Sequence, residues 1–281
     1  METRPLKMVV SAVKVKIDLY YDVISPYSWI AFESLLRYQN IWPIQVNLKP
    51  FSLGTIMRSS GNKPPGLLSS KSLYVLKDLQ RNNEFWEMKL SPPENFMKWV
   101  KTETSDNAMK LLLVIQNEQP RIVSSTRKIC FIVKGLNVKS ADLDFEGRGL
   151  NSKASLVKNW RLLLASSGSE FGWRESQFSI EKTLRSLISL NNEILTRFYV
   201  LTTSGVTDYS RLIEKLNADD VADQLQQNTS DALNSGAFGA PWIVVHKDGE
   251  EHAFFGSDRL HLIGHLIGHK FCGGLTQFAK L

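Results

Sequence analysis

The chain has 281 residues, 43% apolar and 22% charged, which suits an ordinary globular protein of one large domain, or one domain carrying an insertion. No run approaches the roughly 18 uninterrupted apolar residues of a membrane-spanning helix. The net charge of +6 is spread thinly, without the dense basic runs and interleaved aromatics of a nucleic-acid binder, though it would help to collect a small anionic ligand.

The opening "METRPLKMVVSAVKVKID" has only a short apolar patch and no cleavage site after a long core, so a secretory leader is not expected. Glu2 and the sparse arginines weigh against a mitochondrial address. From Val13 to Leu19, apolar Val13, Val15, Ile17 and Leu19 alternate with Lys14, Lys16 and Asp18, a period of two that predicts a strand. Ser25-Pro26 then opens a helix through about Tyr38, with serine as cap and a proline whose missing N–H would be unpaired there anyway. Next, Ile44, Val46 and Leu48 alternate between Pro43 and Pro50 as a second strand, completing a βαβ unit with parallel strands.

Residues 59–68, "SSGNKPPGLL", read as loop. Helical patterns follow at 71–81, about 95–103 and 107–116. Residues 122–203 mix a strand-like "ICFIVKGLNV", Gly/Ser-rich stretches and a helix-like "IEKTLRSLISLNNEIL", with no repeat or motif. Asn228 starts an "NTS" that reads as part of a helix. "PWIVVHKDGEEHAFFG" predicts two strands joined at Asp248-Gly249. A final helix follows, with Ser257 or Asp258 as cap and Leu262, Ile263, Leu266 and Ile267 facing inward.

The order βαβ, helical insertion, ββα predicts an α/β thioredoxin-like fold. Residues 13–60 and 236–275 form its two halves, and 61–235 the inserted helical domain. The two cysteines, Cys130 and Cys272, have no CxxC and no metal-ligand spacing, which suits a reducing compartment and excludes a vicinal dithiol site. His261, His265 and His269 recur every four residues on the last helix, but no carboxylate or cysteine is placed to complete a metal site, so a solvated face is expected.

Three segments, "LYYDVISPYSW", "SGNKPPGLL" and "GAFGAPWIVVHKDG…FFGSDR", resemble the kappa-class glutathione transferases, a DsbA-like branch of the thioredoxin-like proteins related to 2-hydroxychromene-2-carboxylate isomerases. The resemblance covers about 14–121 and 204–275. Residues 122–203 do not match and are longer than such a linker should be, as an insertion or a gene-model error would leave them. The resemblance implies that Ser25 faces the glutathione sulfur, with Pro26 and Tyr27 in its loop and Asn62 nearby. It implies that Ala240 precedes a cis Pro241, and that Ser257 and Asp258 hold the γ-glutamyl end.

Residue chemistry agrees with each role, beside a plainer alternative. A thiol at a helix N-terminus becomes more acidic than its ordinary value of about 8.5. A serine there can donate to the thiolate without forming a disulfide, yet serine before proline is also the commonest plain cap. The backbone before a cis-proline can pair with an extended peptide such as glutathione, whereas an ordinary strand-entry proline is trans. Ser257 and Asp258 could meet the glutamyl carboxylate and ammonium or simply cap the helix, and Asn62 could simply turn the chain beside Gly61.

The implied function is a glutathione transferase, with glutathione as co-substrate, no metal, and chloronitroarenes or lipid hydroperoxides as electrophiles. A glutathione-dependent isomerase and a non-catalytic scaffold are the alternatives, and a homodimer is the expected assembly. Ala279-Lys280-Leu281 is a close variant of the Ser-Lys-Leu peroxisomal address, so the peroxisome is the expected location and the mitochondrion the alternative.

Overall fold

The structure, a computed structural model, describes residues 14–88, 105–118 and 209–278. The helix expected at 95–103, the stretch 122–203 with Cys130, and the tripeptide 279–281 lie outside them.

β1 (Val15–Tyr21) is an inner strand, flanked by β2 (Ile44–Pro50) in parallel and β3 (Trp242–Lys247) antiparallel, with β4 (Glu250–Phe255) at the edge. The parallel pairing of β1 and β2 runs in register from Val15 opposite Ile44 to Tyr21 opposite Pro50, as a βαβ crossover requires. β3 and β4 turn at Asp248 and Gly249, whose φ values of 54° and 84° are the left-handed pair that a tight hairpin demands. Asp18, one of the polar residues in the alternation of β1, is buried, because an inner strand has neighbours on both sides and helices over it.

α1 (Pro26–Tyr38) fills the crossover and buries Ile30, Phe32, Leu35 and Leu36. α2 (Leu53–Ser60), capped by Ser52 and ended by left-handed Gly61, occupies a stretch that carried no helix in the sequence reading. A 3-10 turn at Pro65–Leu67 leads into α3 (Ser69–Trp86). By compactness the chain divides into Met1–Leu90 with Gln224–Leu281, and Ser91–Asp223. The expected boundaries at 60/61 and 235/236 fall elsewhere, since the end of α3 bonds to α1 and Asn228 bonds to the end of β2. Trp86 O accepts from buried Arg37 (2.6 Å), and Asn228 Nδ2 donates to Pro50 O (2.9 Å).

In the second unit, α4 (Asp106–Glu118) buries Met109 and Leu111 to Ile115, and α5 (Tyr209–Lys215) meets it through Glu118, which pairs with Arg211 (3.1 Å) and Lys215. α6 (Asp219–Asn234) contains Asn228, as expected. α7 (Leu260–Ile267) starts later than the sequence suggested. Its N-cap is Arg259, with no side-chain capping bond, so neither Ser257 nor Asp258 caps it. Gly256, at φ 96°, turns the chain first, and those two residues occupy the turn. Leu260, Ile263, Gly264 and Ile267 form the buried face, while Leu262 is exposed and Leu266 only half-buried.

Candidate active site

β1 ends at Tyr21, and a turn carries the chain into α1. Ser25 N donates to Asp22 O (3.1 Å), closing the turn, and Ile24 N donates to Asp22 Oδ1 (3.0 Å). Ser25 is the N-cap: its backbone is extended and its Oγ accepts from Ser28 N (3.3 Å), with Pro26 in the first turn. The same hydroxyl donates to Ala240 O at 3.3 Å. That distance is long beside the usual ~2.7–2.8 Å of O–H···O bonds, so the hydroxyl is loosely held at the positive end of α1.

The Ala240–Pro241 bond is cis, the geometry that the family resemblance implied. Two further elements brace it. Asn62, set just past the left-handed Gly61, donates from Nδ2 to Phe238 O (2.7 Å), and Gly256 N donates to Pro241 O (3.1 Å). Gly239 is pressed against Phe255, where a Cβ would lie 2.9 Å from the ring. Phe238 and Phe255 pack with centroids 4.5 Å apart, and both stay partly exposed, leaving an aromatic surface beside Asn62.

Tyr27 donates to Asp78 Oδ2 (2.8 Å), which also receives Asn82 Nδ2 (3.3 Å). Burial, the Asp78 bond and nearby charges including Asp258 hold the Tyr27 phenol protonated far above its ordinary 10. Asp258 is exposed and paired with its neighbour Arg259, while Ser257 is buried. Thus Ser25 meets the carbonyl of Ala240, the residue joined in cis to Pro241, and Asn62 meets the same loop two residues upstream. Tyr27 and Asp258 share an electrostatic environment, and Ser257 follows the glycine bonded to Pro241.

Sequence reasoning passed over Asp22, Asp78 and the Phe238–Phe255 pair. Asp78 had one faint signal, an Asn82 one helical turn on. His261 and His265 are exposed and His269 half-buried. Among the described residues, no cluster of His, Cys, Asp and Glu could hold a metal ion, and no helix is long and apolar enough to cross a membrane. Chemically, the arrangement offers one adjustable hydroxyl donor at a positive helix end, opposite a backbone carbonyl able to pair with an extended chain.

The DSBA-like thioredoxin domain profile matches residues 16–127 and 149–268. It runs through 122–127 and 149–203, so only 128–148 of the stretch set apart in the sequence reading lies outside it. The chain is 34% identical over 254 residues to glutathione S-transferase kappa 1 of Caenorhabditis elegans, covering 90% of each. It is 30% identical over 257 residues to that of Homo sapiens, covering 92% of each. Among solved structures it resembles a probable DsbA oxidoreductase from Streptomyces coelicolor (TM-score 0.53, 11% identity, 95% of this chain and 90% of that one). It also resembles a 2-hydroxychromene-2-carboxylate isomerase (TM-score 0.50, 16% identity, 90% of this chain and 94% of that one). At these identities the two structures speak for the fold alone.

Proposed function

Because the chain belongs to the kappa glutathione S-transferases, built on a DSBA-like thioredoxin domain, we propose that it holds glutathione as a thiolate at Ser25 and transfers it to soft electrophiles. One observation carries this reading: the Ser25 hydroxyl, at the start of α1, sits 3.3 Å from the carbonyl before the cis-proline. A loosely held donor can turn from Ala240 O to a sulfur anion, and the released carbonyl can then accept from a peptide N–H. The thiol proton goes to solvent. With a chloronitroarene, the thiolate sulfur bonds to the ring carbon and chloride leaves with the bonding pair.

The rest of the site follows the same chemistry. Asn62 and the Ala240–Pro241 backbone would frame the extended tripeptide, with Pro26 and Tyr27 beside the sulfur end. Ser257 and Asp258 would take the glutamyl carboxylate and ammonium, the latter as a charge-assisted pair. A homodimer, a role in detoxification and a peroxisomal location through Ala279-Lys280-Leu281 belong to the same proposal, with the mitochondrion as the competing address.

The test is conjugation of glutathione to a chloronitroarene by the purified protein and by Ser25→Ala. The variant should fold, with about 1 kcal/mol lost as a cap. Its kcat should fall roughly 10- to 100-fold, the worth of a hydrogen bond to a charged group, while glutathione affinity changes far less. Undiminished turnover in Ser25→Ala would leave the serine as a cap and end this mechanism. An isomerised hydroxychromene carboxylate without any conjugate would replace transfer with isomerisation.

A further inference from the structure

Asp22 has no solvent exposure, yet it sits three residues before Ser25 and bonds through both its main chain and its side chain. Its main-chain oxygen accepts from Ser25 N (3.1 Å), and its main-chain N–H donates to Ser28 Oγ (3.4 Å). Of its carboxylate oxygens, Oδ1 accepts from Ile24 N (3.0 Å) and Oδ2 from Leu53 N (2.9 Å). Leu53 is the first residue of α2, where helical N–H groups have no partner within the helix. α2 is a rod of about 12 Å that ends at Gly61 and delivers Asn62 to Phe238 O.

One side chain therefore governs two routes to the cis-proline loop: the turn that sets Ser25 Oγ against Ala240 O, and the helix that sets Asn62 against Phe238 O. The residue type matters. Asparagine would keep the turn through its oxygen but point an amide donor at the Leu53 N–H, and a shorter side chain could not reach both.

Resting on the glutathione reading above, we infer that Asp22 is a positioning residue of this site, its turn arm governing thiolate stabilisation and its α2 arm governing glutathione affinity. It touches neither substrate in this scheme and acts through Ser25 and Asn62.

Three variants and one control test the two arms, read by ultraviolet titration of the bound thiolate and by glutathione affinity and kcat. Asp22→Asn severs the α2 arm and keeps the turn, so affinity should fall about tenfold with kcat nearly retained. Asp22→Ala severs both. Since both variants are neutral, the loss of charge cancels between them, and the bound thiol in Asp22→Ala should titrate about one unit above Asp22→Asn. Its kcat should be about tenfold lower by the same relation. Leu53→Pro, compared with Leu53→Ala because both lose the same buried side chain, isolates the N–H that meets Oδ2, at a first-turn position that accepts proline after an extended Ser52. Against Leu53→Ala it should lose affinity as Asp22→Asn does against wild type, without moving the thiol titration.

Equal thiol titrations in Asp22→Ala and Asp22→Asn would overturn the inference. So would wild-type affinity in Asp22→Asn together with equal affinity in Leu53→Pro and Leu53→Ala. If Asp22→Ala does not fold by circular dichroism, those two affinity comparisons decide: a shared loss supports the inference and no loss refutes it. A wild-type protein that lowers no thiol pKa would instead bring down the glutathione reading itself, which the wild-type titration shows before any variant is made.

Discussion

Asp18 is a carboxylate almost without solvent on an inner strand, and its surroundings decide whether it can stay charged. Burial alone would push its pKa up. Donors from Asn47 Nδ2 (2.9 Å), His246 Nε2 (2.8 Å) and Lys16 Nζ (3.1 Å) outweigh that and hold it below the ordinary 3.8. A carboxylate with a lowered folded pKa stabilises the fold above its ordinary value, and that stabilisation is lost as pH falls through the lowered one. Asp18→Asn should therefore lose about 1–3 kcal/mol at neutral pH and show a flatter loss of stability between pH 5 and 2 in urea titrations. An acid limb as steep as that of wild type would assign the pH dependence to other groups. Asp258 makes the opposite case, since it is exposed and free to exchange Arg259 for an ammonium. Asp258→Asn should weaken glutathione binding about tenfold, a value drawn from exposed and charge-assisted pairing, and leave the bound thiol's titration in place. A large shift in that titration would put Asp258 at the wrong end of the ligand.

At the scale of elements, local signals were legible and long-range ones were not. Ser25-Pro26 announced α1 and Asp248-Gly249 announced the hairpin, because caps and tight turns are decided within four residues. α2 went unread although Ser52 Oγ accepts from Thr55 N (3.4 Å), since an eight-residue helix has too few turns to show a period. The start of α7 was misplaced because Ser257 and Asp258 look like caps, whereas Gly256 had already committed them to a turn. The one local mark of Arg37, a Glu33 four residues earlier, says nothing of its burial. Fully buried on α1, it pairs with Glu33 and donates to Trp86 O (2.6 Å) and Gly274 O (2.8 Å), joining α1 to the end of α3 and the C-terminal segment. Arg37→Ala would leave a buried carboxylate and two carbonyls without their donor, so about 3–5 kcal/mol of stability should go. Gly274→Ala should weaken the same junction from the other side, since a Cβ there would meet Phe85 O at 2.5 Å. Chemical denaturation measures both, and a loss under 1 kcal/mol in Arg37→Ala would show that the junction is not a stabilising unit.

Across the whole molecule, the βαβ and ββα halves could be ordered from sequence because β1 and β2 alternate and β3 and β4 flank a tight turn at Asp248-Gly249. The long-range ties could not, since Ser25 to Ala240 and Asn62 to Phe238, and within the first half Asp22 to Leu53, are contacts that only the folded chain creates. The same holds for the segment before the end of the chain. Trp42 Nε1 donates to Lys270 O (3.2 Å), Cys272 N to Tyr38 Oη (2.9 Å) and Tyr38 Oη to Gly273 O (2.8 Å), while Phe271 stacks on Tyr38 and Leu275 is buried. Burial pushes the Tyr38 phenol up to about 12, so this clamp keeps its proton at any physiological pH. Every one of these contacts lies before the 3-10 turn Thr276–Phe278. A receptor that grips an extended tail needs only a tripeptide such as Ala279-Lys280-Leu281 and its free carboxylate. Deleting residues 279–281 should therefore leave melting temperature and glutathione turnover unchanged and disperse an N-terminally tagged protein from peroxisomes into the cytosol. Full-length tagged protein that never coincides with a peroxisomal marker would refute the address, and a fall in melting temperature on deletion would show that the tripeptide belongs to the clamp.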